Sequence, residues 1–77
     1  MERSLKDSDD ALFWLVQVFA AQAVHKGGVI RRASASIDRE IGRDRFVAEV
    51  RARGFHLLET GGQLVVICHR GPIRVLV

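Results

Sequence analysis

The sequence predicts a small α+β domain in which three helices are followed by a β-hairpin. Its 77 residues, 48% of them hydrophobic and 27% charged, suit one globular domain with a thin core. Apolar residues recur at helical spacing before Gly54 and alternate with other residues after it. We therefore expect a single domain over residues 1–77, with a short N-terminal tail at about residues 1–7.

The first helix is predicted over residues 9–26. Asp7 and Ser8 suit its N-cap, and the two glycines after Lys26 suit its C-cap. One side carries an apolar stripe that we expect in the core, formed by Leu12, Leu15, Val16, Phe19 and Ala23.

The opposite side of this helix is also apolar, because it carries Trp14, Val18 and Ala21. A helix that is apolar nearly all round must be covered on both sides, and a short chain has few elements to do so. This favours a homodimer with either this helix, through Trp14, Val18 and Ala21, or a final strand at residues 73–77 in its interface. The alternative is a central helix wrapped by the rest of its own chain.

Two further helices are expected over residues 33–41 and 44–53. In the first, Ala33, Ile37 and Ile41 share a face, and Ser34 is a candidate cap. In the second, Asp44 suits the N-cap, and the inward positions are Phe46, Val47 and Val50. A very short strand at residues 29–30 fits the apolar pair that precedes them.

The hairpin is predicted over residues 55–68. Gly61 and Gly62 can adopt the positive φ that a tight turn between two strands requires. After Pro72, the alternation of Ile73, Val75 and Val77 with other residues is compatible with a final strand.

Charge is distributed unevenly along the chain. Twelve Lys and Arg against nine Asp and Glu give a net charge of +3. Residues 1–24 hold two of the cations and four of the acids, so residues 25–77 carry the positive excess. Such an excess suits phosphate or an acidic partner, and the alternative is a solvated arginine-rich surface.

Cys68 is the only cysteine, so no disulfide can form within the chain and a reducing compartment is expected. No signal peptide is evident, and the apolar stretch at residues 11–24 is shorter than the ~20 residues that span a bilayer. We expect a soluble, cytoplasmic protein without membrane contact.

The order of elements resembles a winged helix-turn-helix domain over residues 9–69. The resemblance is carried by segment 33–41, by the turn Gly42-Arg43-Asp44, by the helix with Phe46, Val47 and Val50, and by the hairpin wing that follows Gly54. It is a likeness of pattern, since this superfamily has no diagnostic motif.

The resemblance implies binding of duplex DNA, with helix 43–53 in the major groove. Arg45 and Arg51 would reach bases or phosphates, and four flanking arginines would contact phosphates, namely Arg31, Arg32, Arg43 and Arg53. The alternative for these arginines is a solvated helix with pairs such as Glu49–Arg53.

No catalytic set or cofactor motif emerges. His25, His56, Cys68 and His69 lack the spacing of metal ligands, and the four serines lie in no nucleophile motif. The sequence thus leads to two hypotheses. The first is a dimeric DNA-binding protein, such as a transcriptional regulator or a phage- or plasmid-type accessory factor. The second is a small protein-interaction module or inhibitor with a winged-helix-like fold.

Overall fold

The computed structural model of the chain describes residues 9–77. Four helices and three strands follow one another there, so the expected α+β class is confirmed with one helix more than predicted. The elements are α1 (Asp9–Phe19), α2 (Gln22–His25), β1 (Val29–Ala33), α3 (Ser34–Glu40), α4 (Arg43–Ala52), β2 (His56–Thr60) and β3 (Gln63–Ile67). The predicted tail at about residues 1–7 lies outside the described residues.

The helix predicted over residues 9–26 is in fact two helices, α1 and α2. Ala21 between them has an extended backbone, with φ −59° and ψ 148°, which ends the helical hydrogen-bond ladder. Alanine is the best helix former, so the sequence carries no signal for a break, and tertiary packing decides it. The break lets α2 pack beside β1.

The side of α1 that enters the core also differs from the prediction. Val18, expected on the outer side, is 3% exposed, whereas Leu12 and Val16, expected in the core, are 53% and 55% exposed. Because nearly every position of α1 is apolar, periodicity alone does not fix which face turns inward. The residues that α1 buries are Ala11, Leu15, Val18 and Phe19.

The buried face of α1 includes part of the predicted dimer interface. Val18 lies in the chain's own core, Trp14 packs edge-on against Phe46 at 6.2 Å between ring centroids, and Ala21 is half-buried. The apolar side chains that α1 presents to solvent are instead Leu12, Phe13 and Val16.

The three strands form one antiparallel sheet in the order β1-β3-β2. Val29 pairs with Ile67 in β1 and β3, and His56 pairs with the same Ile67 from the other side. One face, with Ile30, Leu64 and Val66, is buried against the helices. The prediction of a hairpin is confirmed, and the expected short strand at residues 29–30 extends to Ala33.

The alternation of hydrogen bonds along the sheet determines which backbone N–H and C=O groups are left unpaired at its edges. Cys68 N–H donates to the Gly28 carbonyl, and Ser34 N–H donates to the Gly62 carbonyl. Even-numbered residues of β3 therefore bond β1, and odd-numbered residues bond β2. It follows that the backbone groups of Leu57 and Glu59 point outward from the β2 edge.

Helices α3 and α4 are joined by Ile41 and Gly42, so the turn begins before the predicted Gly42-Arg43-Asp44. The prediction of Asp44 as the N-cap is wrong, because Gly42 already turns the chain into α4 and Asp44 lies in the first turn of the helix. Gly42 has φ 88° and ψ 146°, a conformation that is essentially restricted to glycine. Its N–H donates to the Ile37 carbonyl at 2.8 Å, which closes the end of α3. The two helices meet over fully buried side chains, namely Ile37, Ile41, Phe46 and Val50.

The final strand considered at residues 73–77 is not formed. Arg70 Nε donates to the Arg53 carbonyl at 3.0 Å, and the His56 Nε2 lies 2.6 Å from the Gly71 carbonyl oxygen. Beyond Pro72 the described chain has no regular secondary structure. The alternation is present, but a strand requires a paired edge, and neither β1 nor β2 bonds this segment.

Candidate nucleic-acid interface

Helix α4 presents a narrow stripe to solvent opposite Phe46 and Val50. Its exposed residues recur at helical spacing and are Asp44, Ala48, Arg51 and Ala52. Ala48 in the middle of α4 and Ala52 at its end have short side chains, so another surface can approach the helix backbone closely there. Arg51 supplies the positive charge of this face, and Asp44 supplies a negative charge in the first turn.

Arg43 and Arg53, both expected at phosphates, make contacts within the chain. The Arg43 guanidinium donates to Glu59 at 2.8 Å and lies 3.5 Å from Asp38. The hydrogen bond and charge of Glu59, then those of Asp38, raise the pKa of Arg43 above its ordinary value. Arg43 thereby links the start of α4 to the hairpin.

The Arg53 guanidinium is held on three sides. It donates to the Glu49 carboxylate at 2.7 Å and to the Glu49 carbonyl at 3.2 Å. Its central carbon lies 4.0 Å from the centroid of the Phe19 ring. The ion pair between Glu49 and Arg53 that the sequence offered as an alternative is therefore present.

The remaining predicted arginines occupy separate places. Arg45 is half-buried beside the α4 stripe. Arg31 is exposed on β1, on the sheet face that points away from the helices, and its carbonyl accepts a bond from the half-buried Arg32 at 2.6 Å. The structure thus does not gather the six arginines into one patch.

The hairpin tip at Gly61 and Gly62 has two positive φ angles, 54° and 76°, as a tight two-residue turn requires. Both glycines have open space around them. The tip itself bears no charge, and Glu59 beside it is paired with Arg43. This wing can offer backbone groups to a partner but no cation.

The candidate ligand residues do not assemble into a metal site. The rings of His56 and His69 lie 5.6 Å apart, and His69 Nδ1 accepts a bond from Gly71 N–H at 3.1 Å. Cys68 is buried, and burial raises the pKa of its thiol. Among residues 9–77, no group of three His, Cys, Asp or Glu side chains is placed to hold a metal ion.

A pocket lies between α4 and β2 that sequence reasoning did not find. Its volume is about 300 Å³. The lining is mainly apolar, with Arg51 as its one charged side chain, and consists of Val47, Val50, Arg51, Gly54, Phe55 and Leu57. The pocket depends on the distance between α4 and the sheet, and no pattern in the sequence predicts that distance.

Comparison with known proteins returned no matching family, no similar curated protein and no similar solved structure. Within the described part of the chain, no helix is long and apolar enough to cross a bilayer.

Proposed function

We propose that this chain is a small duplex-DNA-binding protein of the winged helix-turn-helix kind, active as a cytoplasmic homodimer in transcriptional regulation or as a phage- or plasmid-type accessory factor. Support comes from the element order. A strand precedes two helices joined by a two-residue turn, and a hairpin follows them. This is the arrangement in which the second helix of the pair is free to enter a major groove.

The observation that carries the proposal is the exposed stripe of α4. Ala48 and Ala52 allow close approach to base edges, and Arg51 can donate two hydrogen bonds to guanine or to phosphate. Arg45 lies beside the stripe, and Arg31 on β1 suits a backbone phosphate.

Arg43 and Arg53 have a different role in this proposal. Each is already engaged with a carboxylate of its own chain, at 2.8 Å from Glu59 and 2.7 Å from Glu49. We assign them to positioning α4 against the hairpin and against α1. In this proposal Arg51 on the stripe and Arg31 on β1 make the direct DNA contacts, and Arg45 keeps its predicted place beside the stripe.

Fluorescence anisotropy with a random-sequence duplex at two salt concentrations tests the proposal. We expect affinity to fall steeply between about 50 mM and about 200 mM salt, since released counterions drive such binding. Replacing Arg51 by alanine should weaken binding and flatten the salt dependence by about one unit of slope. The matched control is Lys26→Ala, which removes one positive charge from an exposed position outside α4 and outside residues 73–77.

A folded wild-type protein that shows no salt-sensitive DNA binding would overturn the proposal. The second candidate, a protein-interaction module or inhibitor, would then take its place. It is favoured by the exposed apolar side chains Leu12, Phe13 and Val16 of α1 and by the pocket beside α4. Patches of this kind mark protein interfaces more often than nucleic-acid contacts.

A further inference from the structure

The open edge of the sheet and the pocket beside α4 are parts of the same surface. Leu57 and Glu59 turn their backbone N–H and C=O groups away from β3, and no described residue bonds them. The side chain of Leu57 lines the pocket, together with Val47 and Phe55. A strand added beside β2 would therefore bond these groups and place every second side chain into the pocket.

The chain also contains a segment with the properties of such a strand. Residues 73–77 are as long as β2, and Ile73, Val75 and Val77 alternate with Arg74 and Leu76. Val75 is 87% exposed and Leu76 is 83% exposed. β-branched aliphatic residues suit a strand, and their exposure leaves them without the burial that such residues usually find.

The start of the segment is fixed near the same edge. Arg70 bonds the Arg53 carbonyl, and its side chain packs on Gly54, which also lines the pocket. Gly71 lies against His56, the first residue of β2. Although it starts beside the edge and the pocket, the segment leaves both unoccupied in its own chain, which favours an occupant from another copy.

We propose that residues 73–77 of one copy add as a strand to the β2 edge of a second copy, and that the exchange is reciprocal. Ile73, Val75 and Val77 then fill the pocket between α4 and β2. Arg74 and Leu76 face the other side, where Leu58 is 46% exposed. This assigns an interface to the proposed homodimer, on which the inference rests, and it is independent of DNA binding.

Reciprocity follows from symmetry. In a two-fold dimer each copy gives one segment and receives one, so no β2 edge and no segment 73–77 is left without a partner, and this exchange stops at two copies. Strand addition of this type draws affinity from backbone bonds and specificity from the pocket that takes alternate side chains.

Sedimentation velocity at tens of micromolar tests the interface with two kinds of variant. Val75→Pro removes a backbone donor from the middle of the donated segment. Glu59→Pro removes an outward donor of the receiving edge, a place where the native sheet tolerates proline. We expect the wild type to sediment as a dimer and each variant alone as a folded monomer.

Three matched controls separate the interface from other effects. Glu59→Ala loses the ion pair to Arg43 but keeps the backbone donor, so it should remain dimeric. Leu12→Asp removes an exposed apolar residue of α1 and should also remain dimeric. Circular dichroism of each variant shows whether the domain is folded.

Mixing the two proline variants gives the decisive measurement. The Glu59→Pro chain retains an intact segment, and the Val75→Pro chain retains an intact edge, so the mixture can rebuild one of the two exchanged contacts. We expect a heterodimer in the mixture that neither variant forms alone.

Three other results would contradict the proposed exchange. A monomeric wild type overturns both the homodimer and this interface. A dimer that Val75→Pro leaves intact and Leu12→Asp dissociates overturns the interface and places the contact on α1. A mixture that stays monomeric overturns exchange between copies. None of these results bears on the DNA titration, so the proposal of DNA binding and the proposal of this interface fail separately.

Discussion

Arg53 and Phe19 join the ends of two helices, since the guanidinium carbon of Arg53 lies 4.0 Å from the centroid of the Phe19 ring. Phe19 is the last residue of α1, and Arg53 follows the last residue of α4. The Phe19 ring also stacks on Phe46 at 5.9 Å, so the cation covers an aromatic cluster of the core. We therefore expect Arg53 to stabilise the folded domain.

We expect Arg53→Ala to lower the free energy of unfolding by about 1–2 kcal/mol, the sum of a lost cation–π contact and a lost helical ion pair. Urea denaturation followed by circular dichroism measures this change. Arg51→Ala, two residues earlier on the exposed stripe, is the control and should leave stability within about 0.5 kcal/mol of the wild type. Equal losses in both variants would show that Arg53 contributes only as a surface charge.

Gly42→Ala should destabilise the turn between α3 and α4. At φ 88° and ψ 146° a side chain is strained, and we expect a cost of about 1–3 kcal/mol. Gly61→Ala at the hairpin tip is the comparison, because its φ of 54° lies in the left-handed region and a Cβ there meets no atom within 4 Å. Thermal melts should give Gly42→Ala a lower midpoint temperature than Gly61→Ala. The reverse order would contradict the turn geometry at Gly42.

Ser34→Ala should stabilise the protein. Ser34 begins α3 but makes no cap bond, and its hydroxyl oxygen is buried without a hydrogen-bond partner among the described residues. Removing an unpaired polar group and adding a better helix former should raise the free energy of unfolding by about 0.5–1 kcal/mol. The neighbouring half-buried Ser36→Ala is the comparison, because it brings the same gain in helix propensity but loses the 3.5 Å bond from the Arg39 guanidinium to the Ser36 hydroxyl. Its gain in stability should therefore be smaller than that of Ser34→Ala. A loss of stability in Ser34→Ala would mean that the hydroxyl has a partner in solution.

The thiol of Cys68 should react slowly with a disulfide reagent in the folded protein. Burial raises its pKa, so the thiolate fraction near neutral pH is lower than that of an exposed cysteine. The folded state holds the thiol proton more tightly than the unfolded state does. The free energy of unfolding should therefore fall as the pH rises above the pKa that the thiol has in the unfolded chain. Cys68→Ala should lose this part of the pH dependence. Fast labelling of native protein at neutral pH would contradict the burial.

Glu59→Gln should increase the salt dependence of DNA binding. The carboxylate holds Arg43 at 2.8 Å, and its removal leaves that cation only the longer, exposed pair with Asp38 at 3.5 Å, so Arg43 can turn to a phosphate near the start of α4. We expect a slope steeper by about one unit and tighter binding at low salt. The same substitution together with Arg43→Ala should return the slope to the wild-type value. An unchanged slope in the single variant would place Arg43 away from the duplex.

Local chemistry explains which parts of the fold the sequence predicts. Gly42 and Gly54 mark the ends of the turn and of α4, and Gly61 with Gly62 marks the hairpin, because each adopts a positive φ that glycine favours. The pair of Glu49 and Arg53 is also predictable, since it lies four residues apart on one helix.

The features that the sequence did not predict depend on distant contacts. The break at Ala21 has no local signal, and the buried face of α1 is chosen by the shape of the core. Arg43 meets Glu59 across sixteen residues of chain, so its pairing depends on where β2 passes α4. The pocket depends on the same placement. The resemblance and the position of Arg43 beside the third predicted helix placed it among the DNA contacts, whereas the fold gives it a carboxylate partner.

The strand order β1-β3-β2 has a consequence for synthesis of the chain. Val29 of β1 pairs with Ile67 of β3, so the central strand is the last of the three to leave the ribosome. Until residue 67 has been made, β1 and β2 have no neighbour, and the apolar faces of α1 and α4 lack the sheet that covers them. Such distant pairing is slow to form and leaves aliphatic surface open to aggregation in the nascent chain. Variants that weaken β3 should therefore lower the yield of folded protein during translation. The loss of yield should be larger than the free energy of unfolding of the purified variants would predict.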